Sequence, residues 1–173
     1  MNLSKLVKSA IFSATAIGLG FTFLMVPNVE FISVTIFLSG FYLGSKYGAL
    51  VGGVSIMIYS ILNPMGSGLA YLPLLMGQII SMTIIGILGS YSSFFLKKVR
   101  LKIRILFSGL AGFISTFIYD FITTISFPLS VGYSLNEIII YGISGLVFTS
   151  MHLISNTVIF MIVLPKFIDR IKT

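Results

Sequence analysis

Four polar side chains stand inside otherwise apolar tracts, and all four are of types that hold ligands or move protons: Gln78, Asp120, His152 and Asn156. Burying an ionisable or amide group in an apolar medium requires a partner, so each of them demands an explanation. His152 and Asn156 are one helical turn apart and share a face. Asp120 and His152 have the chemistry of an acid/base pair, and equally of a buried ion pair that locks two helices. Gln78 and Asn156 can hold a polar ligand or hydrogen-bond a neighbouring helix, an interaction of about 0.6–2 kcal/mol in membranes. Asn28, Glu30, Asn63 and Tyr71 occupy the breaker-rich segments that border the apolar tracts, where they would surround the mouth of a cavity.

Catalytic patterns are missing from this set. The lone histidine has no His-Glu-x-x-His or similar metal-ligand spacing, so no metal site is expected. No serine sits in a nucleophile elbow, and no glycine loop is arranged to cradle phosphate, so the chain cannot itself use ATP. We expect no enzyme and no cofactor. An intramembrane enzyme using Asp120 and His152 is the one catalytic alternative left open.

The elements that must position these groups belong in lipid. The chain is 57% hydrophobic and 9% charged, with a mean hydropathy of +1.10, which is the composition of a polytopic membrane protein. Breakers and charges divide it into six spans: Ser9 to Met25, Phe31 to Leu43, Ala49 to Leu62, Ala70 to Phe95, Ile105 to Phe127 and Leu135 to Leu164. Pro27, Pro128 and Pro165 are expected to stop spans 1, 5 and 6, and Pro73 to interrupt span 4. Spans 2 and 3 barely reach across ~30 Å of hydrocarbon at ~1.5 Å per residue. The first tract follows Lys5 and Lys8 as a signal peptide would, but no small-residue cleavage site follows it, and it reads as a retained helix. Nothing resembles a polar linker, so residues 1–173 form one all-α transmembrane domain. Cysteine is absent, which excludes disulfides and thiolate metal sites.

Charge orients the bundle. Lys5, Lys8, Lys46, the loop Lys97-Lys98-Val99-Arg100-Leu101-Lys102-Ile103-Arg104, and the tail Lys166, Arg170 and Lys172 fall on one side of a six-span topology. The other side carries Glu30, Asn63, Ser130 and Glu137 and no Lys or Arg. Basic residues stay in the cytoplasm, so both termini are expected there, and the net charge of +7 reflects topology rather than nucleic-acid binding. Counted at ~1.5 Å per residue, Asp120 lies roughly 24 Å above the cytoplasmic end, and His152 and Asn156 roughly 13–20 Å above it. Gln78 lies a little over two turns below the external start of span 4, so all four groups can meet in one cavity at or above the midplane. On span 1, Ala10, Ala14 and Gly18 form a stripe of small residues that lets another helix approach closely, from within this chain or from a partner.

Pro27-Asn28-Val29-Glu30, Gly40-Phe41-Tyr42-Leu43-Gly44, Gly48-Ala49-Leu50-Val51-Gly52, Asn63-Pro64-Met65-Gly66 and the Gln78-to-Gly89 helix resemble the S-components of energy-coupling factor transporters. These are small prokaryotic membrane subunits that capture vitamins and related micronutrients. The resemblance implies a plasma-membrane, multi-pass subunit that binds its ligand near the external face. It would deliver that ligand through a transmembrane coupling subunit driven by two ATPase subunits. It assigns Ala10 and Ala14 to the Ala-x-x-x-Ala motif that docks on the coupling subunit. Several members stack their ligand on Trp, which this chain lacks; Tyr71, Tyr119 and Tyr141 are the candidate replacements. Of another class is a scaffold or assembly subunit of an envelope complex, in which the polar groups only hold helices together.

Overall fold

A computed structural model describes residues 2–172, with only the backbone of Lys172; the side chain of that last basic tail residue lies outside the described set. The chain is all-helical over these residues. Helix α1 spans Leu3–Thr22 and is capped by Asn2, whose side chain accepts from the Lys5 N–H at 3.3 Å. It is displaced toward the N-terminus relative to the expected span and ends ahead of Pro27. Helix α2, Ile32–Leu43, is apolar on every side, and all of its residues but Tyr42 are buried. It packs against α1 and four helices described next: α3 (Ser45–Ile61), α4 (Leu72–Leu96), α5 (Leu101–Ser130) and α7 (Leu146–Lys172). Gly44 alone joins α2 to α3, at φ +100°, a conformation that favours glycine.

Several stops are not where local rules put them. Pro73 lies in the first turn of α4, where its missing N–H has no helical partner to lose, so it starts the helix instead of interrupting it. Pro128 is tolerated in the last turn of α5, and the chain turns away at Gly132, φ +82°. Pro165 is carried inside α7, flanked by the buried Leu164 and Ile168. The expected sixth span is two helices, α6 (Leu135–Ser144) and α7, broken at Gly145, where Gly142 and Gly145 together weaken the helix. Helix α6 starts at Ser134, whose N–H and Oγ–H both donate to Glu137 Oε2 at 2.7 Å. It has no buried residue and, among the described residues, touches only α5 and α7.

Among the described residues, three helices are long and apolar enough to cross a membrane: Leu72–Leu96, Leu101–Ser130 and Leu146–Ile171. Of these, α4 closes on α2 and α3 through glycine. A Cβ on Gly40 would fall on the Gly86 carbonyl, one on Gly86 on the Gly48 carbonyl, and one on Gly52 on the Met82 carbonyl. Backbones in contact at this range gain dispersion contacts that hydrophobicity cannot supply between helices in lipid.

The basic loop is tied down by one buried side chain. Arg104, 6% exposed, donates from Nε to the Leu96 carbonyl and from Nη2 to the Val99 carbonyl, each at 3.2 Å, and from Nη1 to Asp169 of α7. These bonds cap the end of α4 and fasten it to α7. Arg104→Ala is expected to lose about 2 kcal/mol, since a hydrogen bond involving a charged group is worth about 1.5–3 kcal/mol. Asp169→Asn should lose much less, because the Asp169 side chain is 58% exposed. Thermal unfolding of the solubilised variants compares the two.

Candidate functional site

The connection from α1 to α2 carries the first functional groups into the bundle. Asn28 adopts φ +57°, a left-handed conformation that Asn tolerates better than most residues, and its carbonyl accepts from Ser155 Oγ of α7. Two residues on, Glu30 caps α2: Oε2 accepts from the Ser33 N–H at 2.9 Å. Its other oxygen, Oε1, accepts from Asn156 Nδ2 at 2.8 Å. Burial raises the Glu30 pKa, but the nearby His152 and the Ser33 bond more than reverse this and hold it below the ordinary carboxylate value.

Asn156 is the hub. It is 1% exposed, and its amide nitrogen also lies 3.0 Å from Thr116 Oγ1 and 3.1 Å from His152 Nε2. Two amide hydrogens thus face three oxygen or nitrogen atoms. His152 Nδ1 meets Asp120 Oδ1 at 2.8 Å, while Nε2 stands 3.8 Å from Glu30 Oε1, beyond hydrogen-bonding range. With Nδ1–H directed at Asp120, Nε2 accepts from Asn156 in the neutral ring, while the imidazolium, a donor at both nitrogens, faces carboxylates on both sides. Asp120, His152, Asn156 and Glu30 therefore form one connected series across α5, α7 and the α1–α2 loop.

Gln78 belongs to a second branch. Its Oε1 accepts from Ser60 Oγ of α3 at 2.7 Å, and its Nε2 donates to the Tyr119 hydroxyl at 3.2 Å. The Tyr119 ring stands edge-on to His152 with centroids 6.3 Å apart, so the branches meet there. Each branch faces its own cavity. One of about 250 Å³ lies under the α1–α2 loop and is lined by Asn28, Glu30, Tyr119 and His152, with Tyr59 and Met82 opposite. The other, about 230 Å³, is lined by Asn63, Tyr71 and Gln78 under the loop that joins α3 to α4. Tyr59 lines both. Asp120 and Asn156 line neither; they support His152 and Glu30 from behind.

The structure thus brings Asp120, His152 and Asn156 into direct contact and adds Glu30, which the sequence places only at the mouth. Gln78 is close in depth but turned to the neighbouring cavity. Tyr71 and Tyr141 both pack on Phe127, at centroid distances of 5.4 and 5.7 Å; Tyr71 lines the cavity beside Gln78, whereas Tyr141 lines a separate one of about 400 Å³ between α5, α6 and α7. Thr116, Ser60 and Tyr59 carry no individual signal in the sequence, although Thr116 precedes Asp120 by one turn and shares its face.

On α1, Ser9, Ala16 and Gly20 face inward, while Ala10, Ala14 and Gly18 are exposed. Ala10 and Ala14 line an apolar groove of about 420 Å³ together with Leu50, Val54 and Ile58 of α3. No family model matches the chain, and neither does any curated protein or solved structure; its function rests on the geometry above.

Proposed function

We propose that the chain is the substrate-specific subunit of an importer of the energy-coupling factor type, which captures a small micronutrient at the external face of a prokaryotic plasma membrane. The observation that carries this reading is the Glu30–Asn156–His152–Asp120 series behind a cavity of about 250 Å³. A series of buried polar groups that only fastened helices together would have no need of an open volume beside it. A ligand cavity gives such groups water when empty and hydrogen bonds when filled, which offsets their cost in both states.

In this reading α1 to α5 and α7 cross the membrane, α6 lies toward the external surface, and both termini are cytoplasmic. Cysteines placed at Ser67 or Ser130 should react with impermeant reagents added outside intact cells, and one at Lys98 should not; outside labelling at Lys98 would invert the site. The coupling module, a transmembrane subunit with two ATPases, docks on the exposed stripe of Ala10, Ala14 and Gly18. Ala14→Trp should therefore abolish uptake and leave ligand binding by the isolated chain unchanged, because the stripe faces away from the cavity. Loss of binding in that variant would mark the stripe as internal packing.

The capture reading is tested by mass spectrometry of what the detergent-purified chain retains. A scaffold would retain no small molecule, and an enzyme using Asp120 and His152 would turn one over by itself.

A further inference from the structure

We propose, resting on the capture reading, that the cavity under the α1–α2 loop takes a compact organic cation, an ammonium or amidinium group on a small apolar or aromatic frame, with Glu30 as its counter-ion. The charge count comes first. The titratable side chains facing this site are Glu30 from the loop, Tyr59 from α3, Tyr119 and Asp120 from α5, and His152 from α7; among the described residues no Lys or Arg lines the cavity. One imidazole can balance one carboxylate, and it sits 2.8 Å from Asp120. Glu30, 3.8 Å from that ring, shares it with Asp120, and its hydrogen bonds come from neutral donors, the Asn156 amide and the Ser33 N–H. One carboxylate is thus left without a balancing charge in an apolar setting, an arrangement that is costly unless a cation completes it.

The hydrogen-bond count agrees. Among the described residues, Asp120 Oδ2 and Asn156 Oδ1 are buried without a partner. The capacity left over in this cluster is acceptor capacity, and Glu30, the carboxylate of the cluster that lines the cavity, is itself an acceptor, so a molecule that brings donors matches it. Ammonium and amidinium groups are donors only, whereas a carboxylate or phosphate would add acceptors beside Glu30.

The remaining wall decides between an organic and an inorganic cation. Phe23, Ile32, Ile56, Tyr59, Met82 and Tyr119 offer apolar and aromatic surface, and aromatic faces attract cations. The volume, about 250 Å³, is several times the ~30 Å³ share of one water molecule. Among the described residues no group of three His, Cys, Asp or Glu is placed to hold a metal ion.

The test uses the full chain, purified in detergent and washed free of ligand. The small-molecule content of rich growth medium is stripped of metals on a chelating resin and split by ion exchange at pH 7 into cationic, neutral and anionic fractions. Each fraction is added to the protein and thermal unfolding is recorded. We expect the cationic fraction alone to raise the unfolding temperature, and Glu30→Gln, which keeps an acceptor for Ser33, to need at least ten times more of it for the same shift. Stabilisation by the neutral or anionic fraction instead would overturn the cation assignment and leave the capture reading standing. No stabilisation by any fraction would overturn both. An undiminished response in Glu30→Gln would remove Glu30 as the counter-ion. If that variant fails to fold, the three-fraction comparison on the unaltered chain still decides the ligand's charge.

Discussion

Alanine at Gly40 or at Gly86 is expected to be the most damaging single substitution in the helical body. Each new methyl group would land on a backbone carbonyl of the facing helix, and a carbonyl cannot swing aside as a side chain can. Relief requires α4 to separate from α2 for Gly40 and from α3 for Gly86, which opens the packing around α4, including that of Phe37 and Ile85, both almost fully buried. We expect a loss of about 3 kcal/mol, the upper end of the range for overpacked interiors. Against a total stability of about 5–15 kcal/mol this should appear as low yield and a much lower unfolding temperature. Gly18→Ala is the control: no atom lies within 4 Å of the added methyl, and the change should stay within about 0.5 kcal/mol. Equal unfolding temperatures for Gly40→Ala and Gly18→Ala would disprove the close crossing of α2 and α4.

Asn156→Leu is expected to be the most damaging change in the polar site. The leucine fills much the same space but removes the donor shared by Glu30, Thr116 and His152. Bonds to a charged acceptor are worth about 1.5–3 kcal/mol, so the loss should be about 3 kcal/mol with the neutral bonds included. Thr116→Val, which removes one neutral bond, should lose about 1 kcal/mol. In a double-mutant cycle, Asn156→Leu combined with Glu30→Gln should lose less than the two single changes added, by about 1 kcal/mol or more. Additive losses would mean that the loop and α7 are not coupled through this amide.

The expected stability loss shows where sequence reading stops. Spacing places His152 and Asn156 on one face and puts Asp120 at a similar depth, because rise per residue is fixed in a helix. Depth says nothing of rotation, so Gln78, level with the others, turns to a different cavity and binds Ser60 and Tyr119. Glu30 reads as a rim residue because the course of its loop depends on the left-handed Asn28 and on contacts with α7 that lie far away in sequence. The glycines of α2 and α3 are visible as a pattern, yet only the assembled helices reveal which carbonyl each one faces. Prolines mislead for the same reason. Pro128 and Pro165 satisfy every local criterion for a stop, and tertiary packing carries the helix through both.

Helix α2 has 12 residues and α5 has 30, so at ~1.5 Å per residue they are about 18 Å and about 45 Å long. The short one is enclosed by protein, while α5 turns Phe113, Phe117 and Phe121 outward as a continuous aromatic edge. Lipid therefore meets a wall tall enough for the full ~30 Å of hydrocarbon, and the interior behind that wall is little more than half as deep. Under the proposed capture reading, a solute beside Glu30 would stand only one short helix, about 18 Å, from the basic turn at Lys46.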